Sequence, residues 1–134
     1  MGIRSTAHAR YEIWYHIIWG TKYRKKIIKA EWLKEDIKRL FRKIAMQYDI
    51  EIKEIEVLED HIHILATAPP RIAPSRIVQI IKSTSTKIMF ERHRWLKKYY
   101  WGGQIWEAGY FVRSVGVGLT AEQIEKYIKE QSEA

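Results

Sequence analysis

Residues 11–19, YEIWYHIIW, constrain the fold of this chain more than any other segment. The run is rich in β-branched and aromatic residues and lacks helical spacing, which predicts a strand from Tyr11 to Trp19 buried on both faces. Such a strand needs neighbours on either side and a layer to cover it. It ends at Gly20. From about Ile28 to Tyr48, Ile28, Trp32, Leu33, Ile37, Leu40, Phe41, Ile44 and Tyr48 recur at helical spacing with Lys34, Lys38, Arg39, Arg42 and Lys43 between them. That pattern predicts an amphipathic helix with a basic outer face.

Ile50 to Leu58 alternates like a strand, and the slip between Ile52 and Ile55 points to a bulge or bend. Glu59 and Asp60 turn the chain into a second strand, His61 to Ala68, which Pro69 and Pro70 stop. Ser75 is placed to cap a helix reaching about Arg94, with Ile77, Val78, Ile80, Ile81, Ile88 and Met89 inward. A loop rich in Trp, Tyr, Lys and Gly leads to a short strand from Tyr110 to Val115. After Gly116-Val117-Gly118, Thr120 and Gln123 form a capping box that opens a last helix over about 120–133.

The order β-α-β-β-α-β-α fits an α+β class, a ferredoxin-like or RRM-like split β-α-β sandwich. Its antiparallel sheet would carry helices on one face, and the C-terminal helix is extra to that plan. With 134 residues, no repeat and no linker, the chain reads as one domain over 1–134.

Composition narrows function. There is no cysteine, hence no disulfide framework, thiolate metal site or cysteine nucleophile, and an intracellular setting is expected. No apolar run approaches the ~18 residues needed to span a bilayer, and no signal-peptide core is visible, so no membrane partner is expected. Phosphate-binding glycine loops and the Gly-x-Ser-x-Gly elbow are missing too. The net charge of +8, with six Trp and eight Tyr, suits single-stranded nucleic acid, where cations track phosphates and rings stack on unpaired bases. The basic clusters are Lys22, Tyr23, Arg24, Lys25 and Lys26 after the first strand, and Arg92, Arg94, Lys97 and Lys98. Tyr99, Tyr100, Trp101 and Trp106 follow the second.

His61-Ile62-His63 puts two imidazoles on one face of a strand, with Cα atoms roughly 6.6–7 Å apart. They can converge on one ion, with Glu59, Asp60 and Thr67 near enough in sequence to tune it. An isolated His-x-His is more often a solvated pair on a strand. Tyr127 and Gln131, i and i+4 on the last helix, present a phenol and an amide on one face; a packing stripe of Ile124, Tyr127, Ile128 and Gln131 explains them equally well. His16 reads as a hydrogen-bonded core histidine rather than a ligand, a choice that spacing does not settle.

Tyr15-His16-Ile17-Ile18-Trp19 running into Thr21-Lys22-Tyr23-Arg24, then Asp60-His61-Ile62-His63, the Pro69-Pro70 stop and Tyr127-Ile128-Lys129-Glu130-Gln131 together resemble the single-tyrosine HUH transposases of small insertion sequences. The likeness spans nearly the whole chain. It implies a transposase of a prokaryotic cytoplasm that cuts and rejoins single-stranded DNA at element ends that carry hairpins. It further implies Tyr127 as nucleophile, a 5′-phosphotyrosyl intermediate, and Mg²⁺ or Mn²⁺ held by His61, His63 and Gln131. Two nitrogen ligands favour Mn²⁺ over Mg²⁺, although the resemblance admits either. The Gly116-Val117-Gly118 hinge lets the last helix pack on its own chain or reach across, and by itself reads more readily as an ordinary surface turn. A homodimer with His61 and His63 from one chain and Tyr127 and Gln131 from the other is expected because open sheet edges invite a two-fold partner and two cuts need two nucleophiles held together, as the resemblance also implies. The alternatives are a non-catalytic RRM-like binding module, to which the His pair and Tyr127 are superfluous, and a metal-dependent nuclease using water.

Overall fold

The computed structural model describes residues 2–115 and Lys126. The expected helix at 120–133, with Tyr127 and Gln131, and the Gly116-Val117-Gly118 hinge lie outside the described residues. Two short strands, β1 (Arg4–Ser5) and β2 (Arg10–Tyr11), pair antiparallel with each other. The principal sheet holds β3 (Trp14–Gly20), β4 (Glu51–Val57), β5 (His61–Thr67) and β6 (Phe111–Val115) in the order β4-β5-β3-β6. All its pairings are antiparallel. The parallel strands β3 and β4 therefore flank β5 and are joined by helix α1 (Glu31–Gln47), and helix α2 (Pro74–Arg92) returns the chain from β5 to β6. This is the split β-α-β order expected from the sequence.

Alternation along β3 and β5 decides which face meets the helices. Ile17 pairs with Ile64 and Trp19 with Ile62, and these residues join Leu33, Ile37, Phe41 and Ile44 of α1 and Ile77, Ile81 and Met89 of α2 in one core. Trp19 stacks on Phe41 at 5.7 Å between ring centroids and meets Trp106 edge-on at 6.2 Å.

The strand expected to be buried on both faces buries Ile17 and Trp19 on one, with Tyr15 partly buried beside them. His16 and Ile18 are half-buried on the opposite face, because α1 and α2 both cover the other side of the sheet. That strand also starts later than expected: Tyr11 belongs to the small β1–β2 pairing. On the same outer face as His16, Trp14 is buried beneath Arg4, whose guanidinium lies 5.5 Å from its ring and pairs with Glu51 at 2.7 Å.

The bulge read from the slip in β4 falls between Ile52 and Glu54. Helix α1 begins at Glu31 rather than near Ile28, which packs in the core ahead of it. Ser75 is not the cap of α2. Ala73 holds that position and Pro74 fills the first turn, where its missing N–H costs nothing. Two 3₁₀ turns, Lys22–Arg24 and Arg94–Lys98, were not anticipated. Lys82 of α2 donates to the carbonyls of Glu107 at 2.6 Å and Gly109 at 2.9 Å, fastening the segment that leads into β6.

Trp19 is fully buried at the junction of sheet, α1 and the loop carrying Trp106. Trp19→Ala is expected to cost about 3–5 kcal/mol, the range for an aromatic cavity in a core. Urea unfolding reads this directly, and a loss below about 1 kcal/mol would show that Trp19 is not a keystone.

Candidate active site and nucleic-acid face

The open face of the sheet carries the His pair. Because Ile62 and Ile64 point into the core, His61 and His63 leave β5 together on the other side, half-buried. Their ring centroids are 5.1 Å apart. Across the ladder, His61 faces Gly20 and His63 faces Ile18 on β3, while Glu56 of β4 stands opposite His63 on its other flank.

Each imidazole has its Nδ1 engaged. Nδ1 of His61 lies 2.7 Å from Asp60 Oδ1, and Nδ1 of His63 lies 3.3 Å from Nε2 of His16. A carboxylate accepts only, so His61 donates Nδ1–H and keeps its Nε2 lone pair free. This arrangement is the one a metal-binding histidine uses. The hydrogen bond to His61 holds the Asp60 carboxyl below its ordinary range, with the Arg24 charge adding to the effect. Burial pushes the His63 imidazole below its ordinary value, and the nearby His61 and His16 rings push it further, against the opposing pull of Glu56. A neutral imidazole is the ligating form, so these surroundings fit a cation. Among the described residues no cluster of three or more His, Asp or Glu is placed to hold a metal. A third protein ligand to any cation here would have to be of another residue type or lie outside those residues.

Two of the neighbours expected to tune the pair do not. Thr67 is buried and its hydroxyl donates to the carbonyl of Ile13. Glu59 is exposed, and its carbonyl accepts from the N–H of Ile28. Of the three, Asp60 is the one in contact with the pair. His16, read from spacing as a core histidine, is instead a half-buried neighbour of His63.

Beyond β3 the chain makes a sharp turn that brings cations to this end of the sheet. Tyr23 and Arg24 have φ values of 64° and 51°, the left-handed region that costs most side chains energy. The turn is pinned from several sides. The N–H of Lys22 donates to Ile105 O at 2.7 Å, that of Arg24 to Thr21 O at 2.9 Å, and the Thr21 hydroxyl to Lys25 O at 2.8 Å. Glu107 accepts from the N–H of Gly20 at 2.8 Å and from Arg24 Nε at 3.2 Å. Arg24 thus folds back over Gly20, where an added Cβ would stand 2.4 Å from Arg24 Nε. A larger residue at 20 would push the Arg24 side chain aside.

The two basic clusters, far apart in sequence, meet here. Lys25 Nζ donates to Tyr99 O at 3.1 Å and lies 5.6 Å from the Tyr23 ring and 5.8 Å from the Tyr99 ring. From Tyr99 a run of rings continues through Trp95 at 6.2 Å and His93 at 6.4 Å to Trp32 of α1 at 5.5 Å. Tyr23 and Trp32, at its two ends, are 73% and 57% exposed. Asp36 braces the strip through His93 at 3.0 Å and Arg92 at 3.3 Å. Arg94, Lys97 and Lys98 are exposed beside it. Two rings expected among the binding aromatics are corrected: Tyr100 and Trp106 are buried in the core, Trp106 donating to Ser85 Oγ at 2.9 Å. Trp32 was missed as a surface ring because its helical spacing resembled a core position.

Residues 9–131 match the family described as IS200-like transposases. The chain belongs to that family. This transposase is 36% identical over 121 residues to the ISDra2 transposase TnpA of Deinococcus radiodurans, covering 90% of this chain and 85% of that protein. A Deinococcus radiodurans protein of known crystal structure superposes with a TM-score of 0.74 at 34% identity, with 96% of each chain covered. A REP-associated tyrosine transposase bound to a REP hairpin superposes with a TM-score of 0.51 at 16% identity, over 96% of this chain and 68% of that one, a likeness of fold. No helix among the described residues is long and apolar enough to cross a membrane.

The depressed His63 value has a sign. The unfolded chain takes up a proton near the ordinary imidazole value of ~6.5 while the folded one still excludes it, so stability from this site falls as pH drops below that value. The lowered Asp60 carboxyl adds a contribution that is present above ~3.9 and lost as pH falls through its folded value. NMR titration of the metal-free protein should place His63 below ~6.5, and His61→Ala, which removes one neighbouring charge, should move it upward. A His63 midpoint at or above the ordinary value would contradict this account.

Proposed function

We propose that this transposase cuts and rejoins single-stranded DNA at insertion-sequence ends through a 5′-phosphotyrosyl intermediate on Tyr127. The observation that carries the proposal is the same-face pair His61 and His63, with Nδ1 of His61 against Asp60 and Nδ1 of His63 against His16. A divalent cation, Mg²⁺ or Mn²⁺, held by these nitrogens and by Gln131, would draw charge from the scissile phosphate and keep it aligned. The phenol oxygen of Tyr127 forms the new bond to phosphorus, and the bond to the neighbouring 3′-oxygen breaks, leaving a free 3′-OH. The phosphoester bond energy is kept, so a second 3′-OH can reverse the step and join new partners. Tyrosine with an ordinary pKa near ~10 needs this electrostatic help at neutral pH.

Single-stranded DNA is the partner favoured by the exposed rings Tyr23, Tyr99, Trp95 and Trp32, linked through the half-buried His93, with Lys22, Lys25, Arg92, Arg94, Lys97 and Lys98 along them. The hairpin in the REP-associated structure supports element ends that carry hairpins. The active species is proposed to be a homodimer with His61 and His63 from one chain and Tyr127 and Gln131 from its partner.

Oligonucleotides that pair a hairpin with a single-stranded flank should bind better than blunt duplex of the same sequence, and less well as salt rises. Trp32→Ala or Tyr23→Ala should weaken flank binding by about 1–3 kcal/mol, the range for loss of one base–ring stack, with blunt-hairpin affinity unchanged. Electrophoretic mobility shifts measure both, and equal binding to the blunt duplex would remove the single-strand reading.

Tyr127→Phe should bind DNA yet form no covalent adduct on a denaturing gel, whereas His61→Ala and His63→Ala should lose metal-supported cleavage. Mixing Tyr127→Phe protein with the His61→Ala, His63→Ala double variant, under subunit exchange, should restore one working site if sites are shared. An adduct on Tyr127→Phe would move the nucleophile to another tyrosine. Cleavage without an adduct in the wild type would favour a water-using nuclease, and binding with no cleavage would favour a binding module.

A further inference from the structure

His16 lies on β3 diagonally across the ladder from His63: its own cross-strand partner is Leu65, and His63 faces Ile18. Diagonal neighbours on one face of an antiparallel pair are within reach of long and aromatic side chains. The two rings meet with centroids 5.4 Å apart, and His16 Nε2 is 3.3 Å from His63 Nδ1. Both side chains line a cleft of about 450 Å³ on the open face with Glu54, Glu56 and Leu65.

A bond between two neutral imidazole nitrogens has one proton, and its position decides what His63 can do. If His16 donates, His63 carries its proton on Nε2 and its Nδ1 lone pair is consumed, so neither nitrogen can bind a metal. If His63 donates, its Nε2 lone pair is free, as that of His61 is when Nδ1–H bonds Asp60. Only the second arrangement gives the pair matching donors.

We infer that His16 is a positioning residue: its Nε2 accepts from Nδ1–H of His63, fixing the tautomer and ring orientation that leave Nε2 of His63 free to bind a divalent cation. Two supports of different chemistry, a carboxylate for His61 and an imidazole for His63, thus set the two ligands from opposite sides of the site. The inference rests on the proposed ligand role of His63. His16 itself touches neither metal nor DNA in this scheme. Partners of this kind typically carry 10–100-fold in metal affinity.

The test uses the full-length protein, free of metal for one measurement and titrated with Mn²⁺ for the other. Long-range ¹H–¹⁵N NMR, well above the imidazole titration range, should show the His63 proton on Nδ1 in the wild type. His16→Phe keeps an aromatic ring but removes the acceptor; it should shift His63 toward the Nε2–H tautomer and weaken Mn²⁺ binding, read by electron paramagnetic resonance, by about 10–100-fold. His16→Gln restores a carbonyl acceptor and should recover most of both. A merely structural role would leave the tautomer unmoved and make the two variants alike. Three results would overturn the inference: a wild-type His63 protonated on Nε2, unchanged Mn²⁺ affinity in a folded His16→Phe protein, or His16→Gln as impaired as His16→Phe. Failure of the wild type to bind Mn²⁺ at all overturns the ligand role on which the inference rests, a result separate from these because it precedes any change at His16.

Discussion

The two-residue period of β5 is the constraint on which the site depends. Ile62, Ile64 and Ala66 are driven into the core against Ile17 and Trp19. His61 and His63 consequently have only the open face to occupy. Slipping the register by one residue would put both imidazoles among apolar side chains and bring the isoleucines into water, a large free-energy cost. The core thus fixes the His pair without touching it. Apolar burial, the strongest and least directional force in the fold, secures a polar arrangement that needs direction.

A second dependence runs through the turn after β3. Left-handed backbone at Tyr23 and Arg24 is unfavourable in isolation, and it persists because Thr21, Ile105 and Glu107 hold the turn from several sides. Its effect is to reverse Arg24 over Gly20, near the Asp60–His61 pair, and to turn Tyr23 out into solvent. The same turn carries Lys25 to Tyr99, which joins the site end of the sheet to the aromatic strip reaching α1. The His pair proposed for catalysis and the rings and cations proposed to meet DNA thereby share one support. Such a support favours a reaction in which a flexible strand must be delivered to a fixed phosphate position.

Much of this was legible in the residues themselves. Helical spacing in 28–48 and alternation in 50–68 come from side-chain periodicities that every helix and strand must obey, and even the bulge in β4 appears as a break in alternation. The same-face geometry of His61 and His63 follows from strand period alone. Less legible were the ends of elements, where Ile28 packs in the core before its helix begins, and the cap of α2, where proline at the first turn displaced the expected serine.

What the sequence by itself determined was therefore local: which segments are helix or strand, which side each residue takes, and that His61 and His63 stand together. The tertiary structure alone decided which distant residues meet. It set His16 against His63, brought Trp32 to His93 and Lys25 to Tyr99, and withdrew Tyr100 and Trp106 from the surface into the core. The physical reason is that periodicity is a property of one segment's backbone, whereas neighbours across a sheet depend on strand order and register. Those are settled by the packing of all segments at once, and no spacing within a single segment records them.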